Sequence, residues 1–410
     1  MSFVEKTGTS SWRVRFWRDD GTHGSIPGFP TKKAAEAKAR AIDTDRQRGA
    51  FTDPDAGNLP LAEWIEAWFD ALDVAPTTLA QYRSLTRNHI LPRWGTTRLN
   101  KISGIAVTAW VKKLRADGYA SATVTTILKL LNMMLADAAD ERLIPANPIR
   151  PHRRGRRRHE TVTKAVWARP EQALQVALNS ARLAGPATGI LMLTAAWTGA
   201  RWGELTGLHR DNTHLHPDSV GRIVIAPDVG ALHEVDGRHY LGPPKTAESA
   251  REITLPPFLT ELLHHHLAGH RHPYVFVAAD GAFLRRSNFS RRAMRPAADG
   301  TIHRPRPAVA VPPAVPRLTF HGFRHSHKTW MIADHIPEVA QSVRLGHRIP
   351  DKIQHVYSHV APELDAQLLD CLQRRWIDAL ATLAATSWTT AVTDHRALPR
   401  SSSARTHVSG

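Results

Sequence analysis

A single cysteine, Cys371, is all the thiol chemistry available to this chain of 410 residues. An internal disulfide is therefore impossible, and a zinc site built on several thiolates is excluded. Long apolar runs are also missing. The stretch 190–197 is far too short to span a bilayer, and residues 1–11 carry no apolar segment of the kind a secretory signal needs. The expected setting is cytoplasmic, with no membrane partner. Negative charge is scarce as well: 37 Asp and Glu stand against 54 Lys and Arg, a net charge of +17. Such an excess of base suits a polyanionic partner, most often nucleic acid. The length allows two or three domains, each with its own core.

The first 55 residues read as a small ribbon-and-helix unit. Trp12, Val14 and Phe16 alternate with Arg13, Arg15 and Trp17, a period of two with a basic opposite face. A turn at Asp19-Asp20-Gly21 leads to a second strand at 22–29, and a further strand is expected at 3–6. Thr31 caps an Ala- and Lys-rich helix to about Gln47. Arg13 and Arg15 on such a ribbon could lie in a DNA groove; the same spacing equally suits a plain packing module.

After a linker at 51–59 the period becomes helical. Leu61, Trp64, Ile65, Trp68, Phe69 and Leu72 fall on one helical face. Further helices are expected at 78–89, 105–117 and 121–141, so that 58–147 forms an all-helical domain. The segment 148–162 includes Arg150, Arg153, Arg154, Arg156, Arg157 and Arg158. It reads as a basic interdomain linker, and extended arginines track phosphates without reading sequence.

Residues 163–385 read as a larger mixed domain. Helices are expected at 170–184, 187–197, 258–266, 287–295, 322–334, 337–345, 350–357 and 362–385, with short strands at 222–226, 251–255 and 274–278. A Pro- and Ala-rich insertion occupies 301–316. The last segment, 386–410, reads as a disordered tail. The fold class is thus multidomain and mainly α with small β elements.

Chemistry concentrates in 319–360. His321 and Arg324 are three apart on one helical face, continued by His325 and Lys328. A histidine can take a proton near neutral pH, and an arginine can neutralise a phosphoryl oxygen. His347 follows Leu345-Gly346, and Tyr357 lies ten residues on. A tyrosine is a poor nucleophile at its ordinary pKa of about 10 unless cations favour the phenolate, and a lone helical tyrosine first reads as packing. Upstream, Arg201 follows Thr198-Gly199-Ala200, with Glu204 placed to orient its fork. Taken alone, that pair reads first as a surface i,i+3 ion pair. Lys245, in Pro243-Pro244-Lys245-Thr246, could protonate a leaving alkoxide from a hairpin, or be simply solvated. Arg251 is a second cation on the same hairpin. The 24 histidines raise the question of a metal, but His264, His265 and His266 point in successive directions, and no carboxylate accompanies His321, His325 and His327. No metal and no cofactor is expected.

Read in order, TGARWGEL, PPKTAESAREITLP, HGFRHSHKTWMI and RLGHRIPDKIQHVYSHV resemble the tyrosine recombinase family, specifically phage-type integrases. The resemblance covers 163–385 best. It implies an α+β catalytic domain there, an all-α core-type DNA-binding domain at 58–147, and an arm-type DNA-binding domain at 1–55. It implies that Arg201 and Arg324 hold the scissile phosphate and that Tyr357 attacks it to give a 3′-phosphotyrosyl bond. Lys245 would protonate the leaving 5′ oxygen, His321 would act as general base, His347 would support the phosphate, and Glu204 would steady Arg201. The implied function is site-specific integration of a phage or other mobile element. Implied partners are duplex attachment sites, further copies in a tetramer on DNA, and an excisionase or host DNA-bending factor. The chain departs from the family at Ala200, Trp202, Asp334-His335 and the 301–316 insertion. Two rival readings are a DNA-binding regulator on the same fold without strand exchange, and a metal-dependent nuclease.

Overall fold

The computed structural model describes residues 2–18, 21–49, 51–149, 164–216, 219–303, 305–348 and 360–396, with side chains to residue 385 in the last stretch. The chain divides into two compact units, 1–160 and 161–410.

In the first unit, strands β1 (Phe3–Gly8), β2 (Ser11–Trp17) and β3 (His23–Phe29) form an antiparallel sheet in that order. The expected alternation is seen directly. Val14 and Phe16 are fully buried with Ala35, Ala39 and Ile42 of helix α1 (Lys32–Gln47). Gly24 is required opposite Phe16, since a Cβ there would stand 2.3 Å from the Phe16 ring. Thr31 caps α1, its hydroxyl accepting from the Ala34 amide at 3.2 Å. Arg13 and Arg15 face away from that core and share one carboxylate, Glu5, at 2.8 and 3.7 Å.

The helical part comprises α2 (Leu61–Asp70), α3 (Pro76–Leu85), α4 (Leu91–Trp94), α5 (Gly104–Ala116) and α6 (Ser121–Asp140). Among the described residues, α6 is the one helix long and apolar enough to cross a membrane by length and composition, which the short apolar runs did not lead us to expect. Its apolar stripe is buried instead: Val124, Ile127, Leu130, Leu131, Met134, Leu135 and Ala138 line the core with Leu61, Ile65 and Trp68. The Trp64 indole donates to the Met134 carbonyl at 2.8 Å, which satisfies its one polar atom. The helix expected at 78–89 does not stop there. It passes through a π turn at Thr86–Ile90 into α4. The cause is Pro92, which lacks a donor and crowds the carbonyl one turn back; an i→i−5 bond from Leu91 to Thr86 accommodates it.

The second unit is built around α8 (Pro186–Thr198), which follows α7 (Pro170–Ala184) and is buried on nearly every side over its second half. Trp197 is its anchor. Its ring meets Trp330 at 4.9 Å, Phe258 at 5.5 Å and Trp376 at 5.8 Å, all edge-on. Its indole N–H donates to the Leu372 carbonyl at 3.0 Å. Short helix α9 (Trp202–Thr206) follows, then a sheet ordered β4 (Thr213–His214), β5 (Arg222–Ile225), β8 (Arg251–Thr254). Between β5 and β8, the strands expected to flank an irregular hairpin, stands a hairpin of β6 (Ala231–Val235) and β7 (Arg238–Gly242), whose own strands our sequence reading did not place. Its turn is Asp236-Gly237, both at positive φ (47° and 75°), the geometry an Asp-Gly pair supports between twisted strands. The strand expected at 274–278 is reduced to isolated bridges, His209 with Tyr274 and Val277 with Phe283.

The remaining helices are α10 (Pro257–Ala268), α11 (Arg286–Phe289), α12 (Arg295–Asp299), α13 (Phe320–Ala333), α14 (Glu338–Leu345) and α15 (Pro362–Arg396). A second π turn, Ser290–Met294, joins α11 to α12 ahead of Pro296. The 301–316 insertion packs back onto the domain: Val311 is buried, and Asn179 donates to the carbonyls of Ala297 and Pro312 at 2.9 Å. Trp202, one of the departures from the family, fills a space between Phe289 and Phe320. Helix α15 continues past 386, where a tail was expected, as far as Arg396. The helix expected at 350–357 lies outside the described residues.

The Trp197 cluster holds α8, α10, α13 and α15 together, so Trp197→Ala should cost about 3–5 kcal/mol. The urea midpoint of the purified protein measures this; a loss below about 1 kcal/mol would show that the ring cluster is not what joins these helices.

Candidate active site

Helix α8 ends because Gly199 takes the left-handed conformation, φ 66°. Only glycine fits: a Cβ would stand 2.6 Å from Leu345 and 3.0 Å from the His327 ring. The chain then reverses and starts α9 with Arg201 as its first flanking residue. Glu204, in the first turn of α9, accepts from the Arg201 amide at 2.9 Å and from Arg201 Nη1 at 2.6 Å. Our reading of this pair, taken alone, as a surface ion pair fails on burial, since Glu204 is 1 % exposed. Glu204 also accepts from Arg251 Nη2 at 3.1 Å, from strand β8. Burial pushes the Glu204 carboxyl up, but Arg251 and Arg201 outweigh it and hold it below its ordinary value, so it is ionised.

Arg324, on α13, completes the cluster. It donates from Nη1 to the Gly199 carbonyl at 2.8 Å and from Nη2 to the Leu345 carbonyl. Arg201 Nη2 donates to the Gly346 carbonyl at 3.1 Å, and Arg251 Nε to the Arg344 carbonyl at 2.7 Å. Three guanidiniums thus bind three successive carbonyls at the C-terminus of α14, where the helix leaves carbonyls without helical partners. The helix-dipole end also carries partial negative charge that favours cations. Gly346 closes α14 in the left-handed conformation, φ 62°, with a Cβ position only 2.9 Å from the Ser249 backbone. Ser249 itself is buried and its hydroxyl accepts from Arg201 Nη1 at 2.8 Å.

Glu204 is the one carboxylate hydrogen-bonded to this cluster among the described residues. The guanidinium of Arg324 is held down to about 9, first by burial and then by Arg201, with Glu204 opposing. It remains charged at neutral pH, as do its neighbours. Arg201 is the cluster arginine most open to solvent, its side chain 23 % exposed against 5 % for Arg251. Beside them, His347 is pushed down to about 4, by burial and then by Arg324, Arg201, Lys328 and Arg251. His321 is also lowered, by loss of solvent and then by His325, Arg324, Arg201 and Arg286. Both rings are neutral at pH 7, able to accept a proton or a hydrogen bond. An assembly with this charge excess and several guanidinium donors suits a dianionic or monoanionic phosphate.

Of the expected residues, the structure therefore brings together Arg201, Glu204 and Arg324, with His347 and His321 close enough to feel their charge. Lys245 is exposed in the bend after β7, and among the described residues it has no hydrogen bond or ion pair. Arg251 is the hairpin cation inside the cluster. Tyr357 and the linker arginines Arg153, Arg154, Arg156, Arg157 and Arg158 lie outside the described residues. Sequence reasoning passed over Ser249 and Arg344, and weighed His327 only as a metal ligand. A small hydroxyl or a buried base in an otherwise ordinary helix carries no spacing signal, though Arg344 immediately precedes Leu345-Gly346-His347. Among the described residues no group of three or more His, Cys, Asp or Glu is arranged to hold a metal ion.

Known proteins resemble this chain in sequence and in fold. Residues 61–115 match the family model described as phage integrase, N-terminal SAM-like domain, and residues 170–363 match the phage integrase family. The chain belongs to the phage integrase family of tyrosine recombinases. Enzymes of this family break and rejoin DNA strands. One relative, named as an integrase of prophage phiRv2 in Mycobacterium tuberculosis, is 26 % identical over 395 residues, covering 90 % of this chain and 94 % of its own. Another, named a XerC-like tyrosine recombinase from Caldanaerobacter subterraneus, is 24 % identical over 375 residues, covering 85 % of this chain and 90 % of its own. In fold, the chain is similar to the Tn1549 transposon integrase solved with a circular intermediate DNA. That likeness has a TM-score of 0.58 at 15 % identity, over 77 % of this chain and 99 % of that one. It is also similar in fold to a lambda integrase solved as a tetramer on a Holliday junction, with a TM-score of 0.50 at 15 % identity, over 87 % and 98 % of the two chains.

The neutral histidines make this recombinase acid-sensitive before any DNA is bound. An exposed histidine titrates near 6.5. His327, fully buried, is held well below that by burial and then by Arg344, and His347 titrates only at about 4. The unfolded chain therefore takes up these protons first as pH falls. The stability they contribute is complete above about pH 6.5 and drains away between there and about pH 4. Thermal melts should show Tm falling from about pH 7 to about pH 5, with a shallower fall in His327→Gln. A level or rising Tm over that window would show that neither ring is neutral in the fold.

Proposed function

We propose that this protein is a site-specific DNA integrase of a phage or related mobile element, and that the arginine cluster is its phosphate seat. The observation that carries this is the convergence of Arg201, Arg251 and Arg324 on the end of α14 with, among the described residues, a single buried carboxylate between them. In this reading Arg201 and Arg324 hold the two non-bridging oxygens of the scissile phosphate, with Glu204 steadying Arg201. The Tyr357 oxygen attacks phosphorus, the bond to the 5′ oxygen breaks, and the tyrosine stays joined to the 3′ phosphate. His321 takes the phenolic proton. Lys245 or Arg251 gives a proton or a hydrogen bond to the leaving 5′ oxygen. Lys245 stands on a solvent-exposed bend, free to close on bound DNA, whereas Arg251 is already committed to Glu204 and two carbonyls. That makes Lys245 the better proton donor. His347, neutral beside the cluster, donates to a phosphate oxygen. The phosphotyrosyl ester keeps the energy of the broken bond, so rejoining needs no nucleotide.

The remaining parts fit the same reading. Residues 1–55 serve as an arm-type DNA-binding domain, with Arg13 and Arg15, both half-buried, on the face of the ribbon turned away from its core. Residues 58–147 form the core-type domain, 148–162 a linker that crosses the DNA backbone, and 163–385 the catalytic domain. The working form is a tetramer on two duplex attachment sites in the bacterial cytoplasm, at the nucleoid, with an excisionase or a host DNA-bending protein setting direction.

The decisive measurement uses a nicked duplex from DNA flanking the protein's own gene, located first by footprinting. Wild-type protein should form a covalent adduct that survives EDTA, and Tyr357→Phe should form none. Cleavage retained in Tyr357→Phe and lost with chelator would replace this reading by the nuclease one. A second experiment concerns the linker. Changing Arg153, Arg154, Arg156, Arg157 and Arg158 to Ser should flatten the dependence of affinity on salt, by roughly 0.9 in log–log slope for each phosphate left without a neutralising arginine. An unchanged slope would remove the linker from the interface.

A further inference from the structure

A second buried cation lies behind the phosphate seat. Arg344, in the last turn of α14, is 5 % exposed, and His327 on α13 is fully buried beside it. Arg344 Nε donates to His327 Nε2 at 3.0 Å, and His327 Nδ1 in turn donates to the Ala196 carbonyl at 3.0 Å. The imidazole is thus a neutral acceptor toward Arg344. Arg344 Nη2 donates to the Trp197 carbonyl at 3.2 Å, and Nη1 to the carbonyl and hydroxyl of Thr254 at 3.0 and 3.1 Å. The Thr254 hydroxyl donates its own proton to Asp365 at 3.0 Å, in the first turn of α15.

Among the described residues, none of the direct acceptors of Arg344 is a carboxylate. Burying a guanidinium this way carries a desolvation penalty of several kcal/mol, and a well-packed apolar residue in such a place is often as stable or more so. What an apolar residue could not supply is direction. Each acceptor lies within a few positions of a residue of the phosphate seat. His327 is one turn along α13 from Arg324. Thr254 is on the strand that carries Arg251. Trp197 is the last large core residue before Gly199 and Arg201. The main-chain carbonyl of Arg344 itself, with those of Leu345 and Gly346, receives the three cluster arginines.

We propose that Arg344 and His327 form a positioning pair that sets α8, α13, α14 and β8 so that Arg201, Arg251 and Arg324 meet one phosphate. This rests on the reading of that cluster as the phosphate seat. The pair does not touch the DNA. Its loss lets the row of carbonyls shift relative to the arginines, and a misplacement of an ångström slows chemistry far more than it weakens binding.

The test uses full-length protein and the nicked duplex described above, with adduct rate, DNA affinity and Tm read for each variant. His327→Phe and Arg344→Met should slow adduct formation about 10- to 100-fold while affinity changes less than about threefold. The double variant should be no slower than the slower single, because the two act as one unit. His327→Gln, whose side-chain oxygen can still accept from Arg344, should stay within about threefold of wild type. Arg324→Lys is the control for the seat itself. Slow Arg324→Lys with normal His327→Phe and Arg344→Met would overturn the positioning pair and leave the seat standing. Normal Arg324→Lys would overturn the seat. Equal loss of rate and affinity in Phe and Gln variants, in step with Tm, would reduce the pair to ordinary packing. Should His327→Phe not fold, Gln against Asn decides: Asn is too short to meet Arg344 Nε, and equal rates would overturn the proposal.

Discussion

The buried carboxylate of Glu204 is the constraint on which the catalytic unit depends. It sits between Arg201 and Arg251, on two different elements, and it is ionised because those two cations outweigh its desolvation. Breaking such a buried pair on one side typically costs about 3–5 kcal/mol, because a charge is left without its partner. Everything around it follows from keeping the cations close without neutralising them. Gly199 and Gly346 let two helix ends approach where a side chain would collide. The free carbonyls of α14 accept the guanidiniums without cancelling their charge. The result is a set of fixed donors that need little rearrangement when an anion arrives, the condition under which electrostatic stabilisation is most effective.

Much of this architecture is readable from residue order. The 3.6-residue stripes of α2 and α6, the Thr31 cap and the alternation of Val14 and Phe16 each reflect burial of one face, and burial leaves a periodic trace. The approach of Arg201 to Arg324 is readable only through resemblance, because nothing in a spacing of more than a hundred residues says that two arginines meet. The same limit explains why Arg344 and His327 escape a reading of the sequence. A charge gives no sign there of which face of a helix it occupies or which partner it meets. The β6–β7 hairpin does have a local sign, Asp236-Gly237. The two strands it joins are short and partly polar, however, so that a hairpin is readable between β5 and β8 but the bounds of its strands are not. The tyrosine expected to attack the phosphate falls outside the described residues, so its partnership with the cluster stands on resemblance and chemistry.

The basic surplus of the chain is distributed unevenly in its effects. Arg13 and Arg15 share Glu5, so the ribbon presents less net charge than its composition suggests. Arg210 spends its fork on the carbonyls of Leu267 and His272 at and beyond the end of α10. Many bases in this protein thus serve as main-chain anchors, and counting them overstates the field offered to DNA.

The two π turns have a consequence for comparing relatives. Each amounts to one extra residue wound into a helix, at 86–90 and at 290–294, just ahead of a proline. A relative that lacks that residue can close an ordinary α turn there and keep every flanking contact in phase. Aligned sequences should therefore show single-residue gaps at these two places that mark no change in structure, and forcing them ungapped would rotate the following helix face by about 100° on paper.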